Sequence, residues 1–354
     1  MLEFNILKRY YAQYAREMLA VSASLLTFLM FQAFGYLELN GYILTLSYSL
    51  LFSGAFLSIA VFHDVRKDEY VDLSLILLMA VLLFIFAALL FINVEEFKPT
   101  FFMVSSSLML LRDIARYKAT EIQLWIFSIV NVVSIISFYF IFLYVNSLNI
   151  SALILCVIGL ILIQIFPVYR VKFLNLPFKI WKFLISLGIE LPSFLGGFVA
   201  FILPVYFLTT EDYTTFRVFA SYLAFSTPLL NVLLVMNYSR VGKNSVVPNT
   251  GWLLLTLPFI TANNYENSYL ILVSIMIMML CSVYFFSIIR VGYKKGIQFV
   301  SLLIPPTVMG VSYCVLGGSL GLNGSLYIFG WGNFFGILFM ASCFYRPTLR
   351  SESA

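Results

Sequence analysis

The residues best placed to do chemistry form a stripe along one segment. Arg217, Ser221, Ala224, Pro228 and Asn231 recur at spacings of 4, 3, 4 and 3, which sets them on one face of a helix opposite bulky Phe and Leu positions. A guanidinium, a hydroxyl and a carboxamide among small residues suit the wall of a water-filled cavity. Close helix packing, with Arg217 reaching the outer headgroups beside Glu211 or Asp212, is the alternative. Glu190 precedes Pro192 and Gly196-Gly197, residues that permit a bend where a helix must move. It could equally be an interfacial carboxylate answering Lys179 or Lys182. Ser105, Arg112 and Arg116 share a face at spacings of 7 and 4, with Asp113 beside them. That pattern fits a cationic rim for a phosphate-bearing headgroup, and ordinary topology signalling explains it as well. Gln32 continues a face with Ser24 and Phe28; Asn131, Gln164, Ser47, Ser53 and Ser58 are further polar residues inside apolar runs. Hydrogen bonding between helices is the usual use of such groups.

Catalysis fits less well. His63 is the single histidine and lies in a charged loop, and no HExxH, glycine-rich phosphate loop or nucleophile elbow occurs. Cys156, Cys281, Cys314 and Cys343 lie within or at the ends of apolar runs without motif spacing, so they read as small apolar residues. No metal or cofactor is expected. The external segments offer only Glu38, Glu95, Glu96, Lys98, Glu211, Asp212, Arg217 and Glu266, a thin inventory for an enzyme working outside the membrane.

The elements that must position these groups are transmembrane helices. The chain is 62% hydrophobic and 10% charged, with a mean hydropathy of +0.99, against about 25% charged in a soluble domain. Twelve apolar runs approach the roughly 20 residues that cross a bilayer: 19–36, 42–62, 73–92, 100–118, 122–145, 149–168, 185–208, 214–236, 248–262, 268–289, 297–317 and 323–344. With both ends in the cytoplasm, all but Lys98 and Arg217 of the 21 Lys and Arg residues fall on the cytoplasmic side, which fixes the orientation. The ninth run is short and carries Pro258, yet removing it would strand Arg290, Lys294 and Lys295 outside. The net charge of +5 belongs to short loops facing anionic lipid, so no nucleic-acid partner is expected. No cleavable signal peptide is apparent.

The expected fold is all-α: a polytopic protein of about twelve helices in two six-helix bundles, residues 1–168 and 185–354. The cytoplasmic linker between them, 169–184, interleaves Arg170, Lys172, Lys179 and Lys182 with Phe173, Leu176, Phe178, Ile180 and Trp181, the pattern of an amphipathic interfacial helix. A faint repeat relates the halves: Tyr117-Lys118 before Ile122-Gln123, and Tyr293-Lys294 before Ile297-Gln298. Six spans per half would make them parallel repeats.

Several stretches resemble polysaccharide and O-antigen flippases of the multidrug/oligosaccharidyl-lipid/polysaccharide exporter superfamily. They are Leu111–Arg116 into the fifth span, Glu190–Leu195, Phe216–Ser221 leading to Pro228–Leu233, and Gly321–Leu326 entering the twelfth. The chain departs from that pattern in its shortness, its abbreviated ninth span, the absence of helices beyond the twelfth, and Tyr213-Thr214-Thr215 where a glycine is usual. The resemblance implies a transporter of the bacterial inner membrane and no enzyme. Its cargo would be a polyprenyl-pyrophosphate-linked oligosaccharide, its surroundings membrane lipids, and its associates a polysaccharide polymerase and a chain-length regulator. Arg217, with Arg112 and Arg116, would attract the headgroup; Ser221 and Asn231 would be wall groups, and Gln32 and Glu190 further cavity candidates. An integral-membrane polymerase or ligase and a small-solute transporter of the major facilitator type are the rival readings; His63–Lys67 is a poor match to the latter's loop motif.

Overall fold

The structure is a computed structural model. It describes residues 15, 41, 44–49, 51–52, 70–94, 97–107, single positions between 122 and 136, 170–172, 191–192, 195–223, 229, 233, 249–262, 266–293, 295–316 and 320–344. In chain order the bounded elements are β1 (Tyr70–Asp72), α1 (Leu73–Asn93), β2 (Arg170–Lys172), a 3₁₀ turn (Leu203–Tyr206), α2 (Thr210–Leu223), a second 3₁₀ segment (Thr250–Thr256), α3 (Leu257–Ala262), α4 (Ser268–Gly292), α5 (Lys295–Leu316) and α6 (Leu322–Phe344). Helix is the dominant structure, and Ser268–Arg290, Gly296–Leu316 and Leu322–Phe344 are each long and apolar enough to cross a membrane. Helices α1, α4, α5 and α6 begin and end within three residues of the apolar runs that predict them. The chain folds as two compact units, one of Leu29–Phe194 and one of Leu195–Ala354 with Met1–Phe28. Runs 19–36 and 149–168 lie outside the described residues.

In the first unit, α1 is apolar on every side, as a helix buried in lipid or core must be. Leu83, Ala87 and Leu90 are buried, whereas Phe84 is 66% and Ile92 77% exposed, contacts suited to hydrocarbon and not to water. Phe86 meets Tyr48, Phe52 and Phe102, and Phe97 closes the cluster against Tyr48 and Phe102. Hydroxyls join the same helices: Ser49 Oγ lies 2.6 Å from Ser105 Oγ. Thr45 Oγ1 accepts from the Lys98 amide at 3.1 Å and donates to the Gly41 carbonyl. Interhelical bonding is therefore carried by Thr45, Ser49 and Ser105; Ser53 and Ser58 lie outside the described residues.

One expectation is corrected in this unit. The segment read as the start of an amphipathic helix, Arg170–Lys172, is a β-strand paired in parallel with Tyr70–Asp72, in the register Tyr70↔Arg170, Val71↔Val171 and Asp72↔Lys172. Both are loop segments next to apolar runs, where backbone groups lack helical partners; pairing the two loops satisfies them. The remainder of the linker, 173–184, lies outside the described residues.

In the second unit α6 is the hub, with residues buried on every side. Its small residues let neighbours approach. A Cβ on Gly332 would sit 2.5 Å from Met309 Cγ and 2.9 Å from the Pro305 carbonyl oxygen, and one on Gly336 would sit 2.8 Å from Pro305 Cγ. Gly330 receives the Phe259 ring of α3 closely enough that a Cβ would overlap it. Residues 332 and 336 form a GxxxG pair, the usual device for close helix approach in lipid.

The short ninth run reaches further than its length suggests. Within it Thr250–Thr256 is 3₁₀ helix and Leu257–Ala262 α-helix. At about 2.0 and 1.5 Å per residue they cover about 23 Å, where a plain α-helix would cover about 20 Å. Thr256, Phe259 and Ala262 are buried, and Leu254, Leu257 and Ile260 exposed, so the two segments present one continuous buried face. Between α4 and α5 the Gln298 side chain donates to the Arg290 and Tyr293 carbonyls at 3.1 and 2.9 Å. Gln298, singled out as part of a repeat, thus caps a helix end; its counterpart Gln123 lies outside the described residues.

Replacing Gly332 or Gly336 by Leu is expected to cost about 1–3 kcal/mol through overpacking. Gly321→Ala, where a Cβ meets nothing within 4 Å, is expected to melt as the parent does; thermal unfolding in detergent checks both.

Candidate functional site

The site is organised by a break in the helix that runs through 195–201. Pro204 has no N–H to donate, and the Val205 amide bonds to Ile202 at 3.0 Å, so the turn tightens to 3₁₀ over Leu203–Tyr206. In a continuous α-helix that amide would serve Phe201. The Tyr213 hydroxyl, 2% exposed, donates to the Phe201 carbonyl at 3.0 Å instead. Tyr213 stands where the flippase pattern has another residue type, and here it completes the backbone of the preceding helix.

Helix α2 starts immediately beyond the break. The Thr209 hydroxyl accepts from the Asp212 amide at 3.3 Å. Glu211 and Asp212 occupy the first turn, where carboxylates favour the helix dipole. Arg217 lies about 10 Å further along the axis. It is 4% exposed, and its guanidinium carbon is 4.7 Å from the centre of the Phe201 ring. The arginine head is therefore packed inside this unit and does not snorkel to a headgroup layer. The 3₁₀ break, Tyr213, Phe201 and Arg217 act as a chain: the break frees a carbonyl, the tyrosine holds it, and the held phenyl ring carries the guanidinium.

Ser221 is buried one turn on, and its hydroxyl donates to the Arg217 carbonyl at 2.8 Å. Its lone pairs remain its means of contacting a ligand. Phe216, Val218, Phe219, Ala220 and Leu223 are also buried, so Arg217 and Ser221, the described part of the predicted stripe, lie among buried apolar neighbours. A second aromatic pair follows the break: Phe207 stacks on Tyr313 of α5 at 5.4 Å and 18°. Where α4 and α6 begin, the Ser268 hydroxyl donates to Asn323 Oδ1 at 2.5 Å. Asn323 Nδ2 in turn donates to the Glu266 carbonyl at 2.6 Å. Asn323, part of the flippase-like turn, thereby ties two helix starts together.

Of the residues singled out in the sequence, the structure brings together Arg217 and Ser221. Asn231, Arg112, Arg116, Gln32 and Glu190 lie outside the described residues. Sequence reasoning missed Phe201, Phe207, Tyr213 and Tyr313. Pro204 was the available signal, since a proline within an apolar run frees carbonyls that a nearby hydroxyl can claim. Among the described residues no cluster of His, Cys, Asp or Glu could hold a metal ion. Comparisons with protein-family models, with curated proteins and with solved structures give no match.

Tyr213→Phe is expected to cost about 1–3 kcal/mol, because it leaves the Phe201 carbonyl unsatisfied in an apolar setting. A double-mutant cycle of Phe201→Leu with Arg217→Met is expected to give a coupling of about 0.5–2 kcal/mol; additive melting shifts would contradict the stacked arrangement.

Proposed function

We propose that this chain is a flippase that carries a polyprenyl-pyrophosphate-linked oligosaccharide across the bacterial inner membrane by alternating access. Its architecture on this reading is about twelve helices in two six-helix bundles, N-terminus and C-terminus both cytoplasmic. The observation that carries the proposal is Arg217: a guanidinium enclosed within a helix about 10 Å from its start, resting on an aromatic ring. An ionisable group at such depth is costly and is retained where it serves a pathway or a ligand. A phosphate would be held by charge-assisted bidentate bonds from the Arg217 guanidinium, which are stronger than a cation–π contact. The sugar head would cross in a polar cavity that replaces its hydration, while the polyprenyl tail stays in lipid.

The thin external inventory of acids and bases supports transport over polymerisation, and the resemblance of Phe216–Ser221 and Gly321–Leu326 to flippase segments supports this cargo over a small solute. Arg112, Arg116, Asn231, Gln32 and Glu190 complete the proposed cavity. A polysaccharide polymerase and a chain-length regulator would act on the product.

A strain lacking this gene is expected to accumulate the complete lipid-linked repeat unit, read by lipid mass spectrometry, and to lose surface polymer. Complementation with Arg217→Met is expected to leave the protein folded and inserted, because an apolar side chain of similar length replaces a buried charge at little cost, yet to fail to restore export. Normal surface glycan and no accumulated lipid in the deletion strain would sink the flippase reading; full export by Arg217→Met would remove Arg217 from it.

A further inference from the structure

Helix α5 is built differently from its neighbours. Its window of best apolarity is 22% buried inside the protein, against 56% for α4 and 61% for α6. Pro305 and Pro306 interrupt it, withdrawing the amides that would serve the Ser301 and Leu302 carbonyls. The Thr307 hydroxyl donates to the Leu303 carbonyl at 2.8 Å, a back-bond that favours bending at the same turn. The break rests on the glycine track of α6, where Pro305 faces Gly332 and Gly336. Beyond it Thr307, Val311, Cys314, Val315 and Leu316 are exposed, whereas Met309 and Tyr313 are buried.

Tyr313 holds this half in place by stacking on Phe207. Its hydroxyl is buried and lies close to Ser325 of α6.

We propose that Thr307–Leu316 is a hinged flap, pivoting at Pro305-Pro306 on the Gly332–Gly336 seat and held shut by the Tyr313–Phe207 stack. Opening exposes Ser325 and frees Phe207, which directly follows the 3₁₀ turn beyond Phe201. A gate beside the Arg217 site would have this form; that role rests on the transport reading, whereas the hinge itself does not.

The test is thiol accessibility in nanodiscs, where a water-soluble maleimide reaches both faces and no cargo is needed. Orientation and substrate therefore do not enter the result. In a chain with Cys156, Cys281, Cys314 and Cys343 replaced by Ala, Ser325→Cys is expected to label slowly, at a rate set by flap opening. Adding Phe207→Ala is expected to raise that rate by roughly two- to twelvefold, the worth of an aromatic pair. Adding Pro305→Ala and Pro306→Ala instead is expected to lower it several-fold, since both missing amides return. Equal rates in all three proteins, no labelling in any before denaturation, or faster labelling without the prolines would each overturn the hinge.

Discussion

Inside hydrocarbon a peptide group has no water to bond with, so each break in a helix must be repaired by the protein itself. Among the described residues of the second unit, three irregular stretches meet this constraint in different ways. At Pro204 a distant hydroxyl, Tyr213, takes up the Phe201 carbonyl. At Thr250–Thr256 the chain keeps its bonds by tightening to 3₁₀, and the Asn249 side chain accepts from the Gly251 amide at 2.9 Å. At Pro305-Pro306 the amides that would serve the Ser301 and Leu302 carbonyls are missing, and the Thr307 hydroxyl adds a back-bond to the Leu303 carbonyl in the same turn. The first two solutions lock a fixed geometry. The third leaves the helix without two of its own bonds in a single turn.

The first repair also creates the candidate site. A carbonyl held by Tyr213 fixes the backbone at Phe201, and with it the ring on which Arg217 lies. A cation on an aromatic face gains about 2 kcal/mol or more when desolvated, less than the cost of bringing a bare charge into hydrocarbon. The helix that carries it is the appropriate one: α2 is buried on nearly every side, so Arg217 is shielded from lipid by protein.

Much of the fold was legible because one length dominates it. An apolar run must match the bilayer, so α1, α4, α5 and α6 are bounded by the positions where apolar residues give way to Asn, Lys, Arg or Gly. The Arg217–Ser221 face was legible from helical spacing for the same local reason. What escaped depends on contacts between distant segments. Nothing local in Tyr70–Asp72 or Arg170–Lys172 announces a parallel pairing. The Phe201, Tyr213 and Phe207–Tyr313 contacts likewise require knowing which helix lies beside which. The GxxxG pair at Gly332 and Gly336 was present in the sequence, but its partner, a proline-bearing helix, was not deducible from it.

That partnership explains why α6 can be a hub. Lipid chains are as apolar as leucine, so burying leucine between helices gains little; close van der Waals contact has to do the work. Gly330 accepts the Phe259 ring, and Gly332 and Gly336 accept Met309 and Pro305, so two neighbours key into one helix at different levels. The Phe259 contact is reinforced by Trp331 at 5.5 Å and by the Tyr327 hydroxyl, which donates to the Ala262 carbonyl at 2.6 Å. These fix the short α3 firmly although its apolar run is the weakest in the chain. The proline contact is one of close shape, with Pro305 against Gly336 and Met309 against Gly332. One glycine-rich helix thus anchors one neighbour through a hydrogen bond and aromatic contacts and seats another through close shape, the arrangement that a pivot requires.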